Sequence, residues 1–273
     1  MHENALPNRH KSVRGFLLVA SAMLLCMSSA HAADTQNATS SAQENSSQVQ
    51  MTPDQAQIAL RLARAAKQAG DMNGSISLYK TLVAAQPDDT HIALEYGDAL
   101  NDAGYIDDAI GVYSKIGAQS KDRADALLGL ERSYLRLGQP EEALPFAEQA
   151  AALAPQDANA LVGHGVALDM LNRHDEAQKC YRAVLDFAPR NVAARNDLAL
   201  SLALTGDFRQ AIDILTPIAR STDASPRERQ NLALVYGLEG NRDAAKALLS
   251  VDLDTSDADS NLRFFDAVRK PAK

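Results

Sequence analysis

Residues 163–184, GHGVALDMLNRHDEAQKCYRAV, gather His164, His174 and Cys180 into one short stretch. Imidazole and thiolate together are the ligands of structural zinc, and the same pair serves nucleophilic catalysis. The spacing argues against zinc. Ligands on one helix sit three or four residues apart so that they share a face, whereas His174 and Cys180 are six apart and His164 falls on the preceding helix. A reactive thiol at Cys180 is the remaining alternative. Elsewhere there is no G-x-S-x-G, no H-E-x-x-H, no Walker loop and no Gly-rich turn after a strand. The carboxylate pairs Asp107-Asp108 and Glu141-Glu142 fall where second helices begin, and there they suit the helix dipole. No catalytic, cofactor or metal site is expected, and the chain does not read as an enzyme.

The framework that positions these residues must be helical. Of 273 residues 46% are hydrophobic, with no Trp and six Phe, so Ala and Leu supply most of the apolar mass. That balance favours packed helices. The formal charge is −8, with the acid spread along the chain rather than gathered in a tail. A nucleic-acid partner, which needs clustered Lys and Arg, is therefore not expected.

Residues 1–32 read as an export signal. Arg9, Lys11 and Arg14 form a basic start, residues 15–25 an apolar run, and Ala30-His31-Ala32 a small-x-small cleavage site. The run is too short to span a membrane, which takes about 20 residues, and no later segment approaches that length. No transmembrane segment is expected. Cleavage after Ala32 leaves 24 basic and 34 acidic groups, net −10, in a periplasmic protein. The alternative is lipidation at Cys26, which would make an outer-membrane lipoprotein. Against it, Leu25 stands where a small residue normally precedes a lipidated cysteine. Residues 33–52, rich in Ser, Gln and Asn, bury too little apolar surface to order themselves and read as a tether.

Beyond the tether the chain repeats. DLALSLALTGDFRQAIDIL from Asp197 aligns with NLALVYGLEGNRDAAKALL from Asn231 at an offset of 34, which holds without insertion for blocks starting at 56, 90, 124, 158, 192 and 226. Slot 15 of each block is Gly70, Gly104, Gly138, Asn172, Gly206 or Gly240, residues that tolerate the left-handed backbone of a helix end. Slot 20 is Ser75 or Ala. Slot 8 is small in all but Glu131, and slot 24 carries Tyr79, Tyr113, Ala147, Tyr181, Leu215 and Leu249. Pro87, Pro155 and Pro189 at slot 32 stop the second helix, and Asp89, Asp157, Asn191 and Ser225 at slot 34 cap the next one. Lys121 and Asp223 replace that Pro, which predicts looser helix ends. Pro217 predicts a bend near Asp213. Leu262, Phe265 and Val268 share one helical side of residues 257–269, as a terminal cap requires.

These slots resemble the tetratricopeptide repeat over residues 56–259. The resemblance implies an all-α fold, a right-handed superhelical solenoid of antiparallel helix pairs. It spans residues 53–259, with residues 257–273 as capping helix and tail. It further implies a concave face lined by slots 2, 5, 9 and 12 of the first helices. Those slots hold Arg64, Lys67, His91, Asp98, Asn101, Asp125, Arg132, Asn159, Asp169 and Asn196, with Leu94, Leu128, Leu135 and Val162 among them. Such a mixture suits an extended or helical peptide. Arg64, Lys67 and Arg132 are the cations expected to draw an acidic or C-terminal carboxylate part of a ligand. Asp98 stands where the carboxylate clamp of chaperone-binding repeats has Asn, so an EEVD-type tail is not expected.

Residues 229–249 followed by NLRFFDAVRK (261–270) also look like the C-terminal end of TadD-type proteins of tight-adherence (Flp) pilus systems. That resemblance implies a non-enzymatic, pilotin-like periplasmic scaffold assisting assembly of a pilus or type II-like secretion system, with a secretin or another pilus component as partner. The alternative function is a targeting module of an envelope enzyme complex, such as cell-wall or exopolysaccharide machinery.

Overall fold

The computed structural model describes residues 51–269; the export signal, Cys26, residues 33–50 of the tether and the last four residues lie outside the described range. Thirteen α-helices and no strand occur among the described residues. The chain divides after Gln139 into two compact units, within the third 34-residue block and between its two helices.

The N-terminal unit holds α1 (Pro53–Gln68), α2 (Met72–Ala85), α3 (Thr90–Ala103), α4 (Ile106–Tyr113) and α5 (Arg123–Arg136). Helix α1 starts earlier than the block boundary because Thr52, expected in the tether, closes a capping box with Gln55 and Pro53 follows at the first helical position. Its hydroxyl accepts from the Gln55 N–H at 3.3 Å while Gln55 Oε1 accepts from the Thr52 N–H at 2.9 Å. The pairing of small slot 8 with aromatic slot 24 is visible at Tyr113, whose ring lies so close to two helix backbones that a Cβ on Gly97 or Gly129 would sit 2.4 or 2.5 Å from it. Gly129, on the following helix, is a second small contact that the slot pattern did not single out. With Lys121 in place of Pro, α4 is only eight residues long. The chain then runs through turns in which Ile116 is buried and its carbonyl accepts from Arg123 Nη1 at 3.0 Å.

The C-terminal unit holds α6 (Pro140–Leu153), α7 (Ala158–Met170), α8 (His174–Phe187), α9 (Val192–Thr205), α10 (Phe208–Ala219), α11 (Pro226–Glu239), α12 (Arg242–Leu249) and α13 (Thr255–Arg269). Asn172, the one non-glycine at slot 15, has φ of 61°, in the left-handed region where the five slot-15 glycines also lie. Asp157 caps α7 by accepting from the N–H groups of Asn159 (2.7 Å) and Ala160 (3.1 Å). Helix α10 continues unbroken through Asp213, and Pro217 falls in its last turn, where it removes a hydrogen bond close to the end. A second proline inside a helix, Pro145 in α6, was not anticipated. Helix α13 buries Ala258, Leu262 and Phe265, with Val268 only half-buried. Its Phe265 ring packs where a Cβ on Gly237 of α11 would be 2.4 Å away. The cap is tied to α12 by the Arg242–Asp266 and Lys246–Asp259 ion pairs.

Candidate peptide-binding groove

In the N-terminal unit the first helices α1, α3 and α5 carry the expected groove slots. Slot 5 forms an apolar row, Leu60 and Leu128 half-buried and Leu94 buried. Beside it the charged slots are occupied by one another. Arg64 grips Glu95, its Nε donating to Oε2 at 2.8 Å and its Nη2 to Oε1. The same carboxylate accepts from the Tyr79 hydroxyl at 2.8 Å and lies 3.1 Å from His91 Nε2. The Arg64 hydrogen bonds hold the Glu95 carboxyl below its ordinary range. Lys67 Nζ lies 2.8 Å from Asp102. Asp98 accepts from Arg132 Nη2 and from the Tyr113 hydroxyl, both at 2.7 Å. Burial, then the Asp98 charge, raises the Tyr113 phenol well above its usual value. Asn101 is buried rather than ligand-facing: its Nδ2 donates to Ser133 Oγ at 2.9 Å, whose hydroxyl donates to the Gly129 carbonyl at 2.7 Å. Asp125 is exposed.

Arg64, Lys67 and Arg132 are thus not free cations awaiting an acidic ligand. Each is neutralised by an acid of an adjacent repeat, because side chains one repeat apart on neighbouring first helices lie within salt-bridge reach. The pairs are largely exposed, so each contributes only about 0.2–1 kcal/mol.

The C-terminal unit again exposes slot 2 and buries a polar side chain at slot 12. Asn159 is exposed. Asp169 is fully buried and accepts three hydrogen bonds: from Ser201 Oγ at 2.8 Å, Tyr181 OH at 2.9 Å and His174 Nδ1 at 2.7 Å. It joins α7, α8 and α9. Asn196 is also buried, and its Oδ1 has no hydrogen-bond partner among the described residues. Asp169 and Asn196 therefore belong to the interior, contrary to the expectation that they line a ligand surface.

The histidine–cysteine stretch divides in two. His174 turns to Asp169, while His164 Nδ1 lies 3.8 Å from Cys180 Sγ, a proximity that the sequence spacing alone did not reveal. Burial lowers the His164 pKa and raises that of the Cys180 thiol, the opposite of what a thiolate–imidazolium pair requires. Among the described residues no three ligating side chains converge as a metal site.

Two acids, one buried and one half-buried, went unrecognised in the sequence as titrating groups. Glu131, 2% exposed, is pushed up to about 7 by burial, with Arg132 opposing. Asp197 is likewise raised to about 7, by burial first and with the Asp169 charge adding to it.

Helix pairs repeated every 34 residues, with an apolar row and ion pairs on the first helices, define a helical-repeat scaffold for protein–protein interaction. Residues 21–190 match a tetratricopeptide repeat family model and residues 163–226 match a second of the same description, and the chain belongs to the tetratricopeptide repeat family. Among solved structures it is similar to a tetratricopeptide repeat protein from Parabacteroides merdae, with TM-score 0.65 and 12% identity over 79% of this chain and 86% of that one. It is also similar to MamA from Desulfovibrio magneticus RS-1, with TM-score 0.54 and 21% identity over 63% of this chain and 99% of that one. At these identities the likeness establishes the fold. No curated protein matches the chain significantly. Among the described residues no helix is long and apolar enough to cross a membrane.

Proposed function

We propose that the chain is a non-catalytic periplasmic scaffold, a pilotin-like assembly factor of a tight-adherence pilus or related secretion system, and that it holds a segment of a secretin on the first-helix face of its N-terminal unit. The observation that carries the binding face is the half-buried pair Leu60 and Leu128, with the buried Leu94 between them in the slot-5 row, beside charged slots already satisfied by one another. A segment laid along that row would gain apolar contact while the ion pairs border it. The leader of residues 1–32 supports export, and the 229–270 segment supports the pilus system. The test is crosslinked capture from the cell envelope of a host carrying such a system. Wild-type chain should retain the secretin, and the double change Leu60→Glu, Leu128→Glu should lose it while keeping its helical circular dichroism. Equal capture by wild type and this variant would remove the groove reading, and an envelope enzyme captured instead of a secretin would favour the targeting-module alternative.

A further inference from the structure

One cavity opens onto this face. At the start of the N-terminal unit, α1 and the turn before α3 line an open hollow of about 400 Å³. Its apolar floor includes Leu60 and Ile92, and its polar lining is Asp54, Gln57, Gln86 and Asp89. The volume lies toward the lower end of the range for pockets that receive a small ligand or a single side chain. The charge in it is wholly acidic.

Two helix N-termini border this pocket, which by itself would favour an anion. Here several of those donors are already engaged. The first-turn donors of α3, the N–H groups of His91 and Ile92, are both held by Asp89 Oδ1 at 3.0 and 3.1 Å, and Pro53 at the start of α1 has no N–H to offer. Asp89 Oδ2 and both oxygens of Asp54 accept no hydrogen bond among the described residues. The groove's own cations are engaged elsewhere, Arg64 by Glu95 and Lys67 by Asp102. The acceptors that remain are two carboxylates and two amide carbonyls above an aliphatic floor. This is the complement of a long basic side chain, whose methylene stem packs on apolar surface while its charged head reaches polar acceptors.

We infer that this pocket takes an Arg or Lys side chain of the bound protein segment, so that the groove selects a basic, not an acidic, partner sequence. The inference rests on the groove reading above and gives it a specific anchor at the first repeat. The cationic head sits between Asp54 and Asp89, Gln57 and Gln86 supply the further acceptors, and the stem lies along Leu60 and Ile92.

The test uses the full chain and four blocked heptapeptides, Ac-ALAXALA-NH2 with X as Arg, Lys, Gln or Glu, titrated while the Leu60 and Ile92 methyl resonances are followed. The Arg and Lys peptides should shift both methyls with affinity at least about tenfold above the Gln peptide, and the Glu peptide should not bind. Asp54→Asn, an exposed change that leaves the Asp89 cap intact, should bring the Arg peptide down to the Gln level without altering the thermal melt. Equal binding of Arg and Gln peptides, preference for Glu, absence of any shift at Leu60 and Ile92, or an Asp54→Asn variant that keeps the preference would each overturn the inference. Secretin capture by Asp54→Asn without charge preference would sink the pocket alone. Failure of capture by wild type would sink the proposed function and leave the peptide result standing.

Discussion

Two acids on first helices, one in each unit of this protein, sit in opposite environments. Slot 9 of the second repeat, Asp98, sits partly in water and shares its charge between Arg132 and Tyr113. Slot 12 of the fourth, Asp169, is sealed from solvent and holds His174, Tyr181 and Ser201. Both acids accept from the slot-24 tyrosine of their own repeat. What differs is burial, and burial converts a modest surface pair into an interior support, since a buried donor or acceptor left without a partner costs its full desolvation. Reachable polar groups on the first helices are accordingly those of slots 2 and 9, such as Asp125, Asn159 and Asp98, and not those of slot 12 such as Asn101 and Asp169.

The contrast is most easily broken at Asp169. Asp169→Ala strands the buried Tyr181 and Ser201 hydroxyls and the part-buried His174 ring, and should lower stability by about 3–5 kcal/mol, read as a lower midpoint in urea unfolding. A loss under about 1 kcal/mol would mean that the node is no more than another surface pair.

Titration of Glu131 gives the next largest effect. Burial raises its folded pKa from 4.5 to about 7, so the folded chain keeps a proton that the unfolded chain has released. Its stabilising contribution is full below pH 4.5, falls as pH rises toward 7 and is absent above, a change of up to about 3 kcal/mol. Asp197 acts in the same direction. Glu131→Gln should flatten the melting temperature between pH 5 and pH 8, values chosen to bracket the folded pKa of about 7. An equally steep profile in the variant would assign the dependence to other groups.

Gly165→Ala should cost about 1–3 kcal/mol, because the added Cβ would lie 2.4 Å from the Tyr181 ring and the packed interior has little room to give. Changing Tyr181 to Leu in the same chain should recover part of that loss, and a plain sum of the two effects would speak against their contact.

The smallest effect belongs to the N-terminal unit. A double-mutant cycle on Asp98→Ala and Arg132→Ala should give a coupling of about 0.2–1 kcal/mol that shrinks in 1 M salt. A coupling of several kcal/mol, insensitive to salt, would erase the distinction between the two acids.

By itself the sequence determined the period of 34, the helix pairs and their ends. Those depend on local chemistry: a left-handed backbone at Gly104 and Asn172, a side-chain oxygen at Asp89 and Asp157 facing the next N–H groups, a missing N–H at Pro53. The alternation of small slot 8 with large slot 24 was legible for the same reason, since a fixed spacing puts Gly165 against Tyr181 whatever surrounds them. The partners of the polar slots were not legible in this way. Residue type does not distinguish Asn101 and Asp169, which turn inward, from Asn159 and Asp125, which do not; the slot does, being 12 for the first pair and 2 for the second. What satisfies the inward pair was decided by the tertiary structure, because a carboxylate or amide is satisfied equally by water or by a hydroxyl. Which one it meets depends on neighbours up to 32 residues away, such as Ser133 for Asn101 and Ser201 for Asp169.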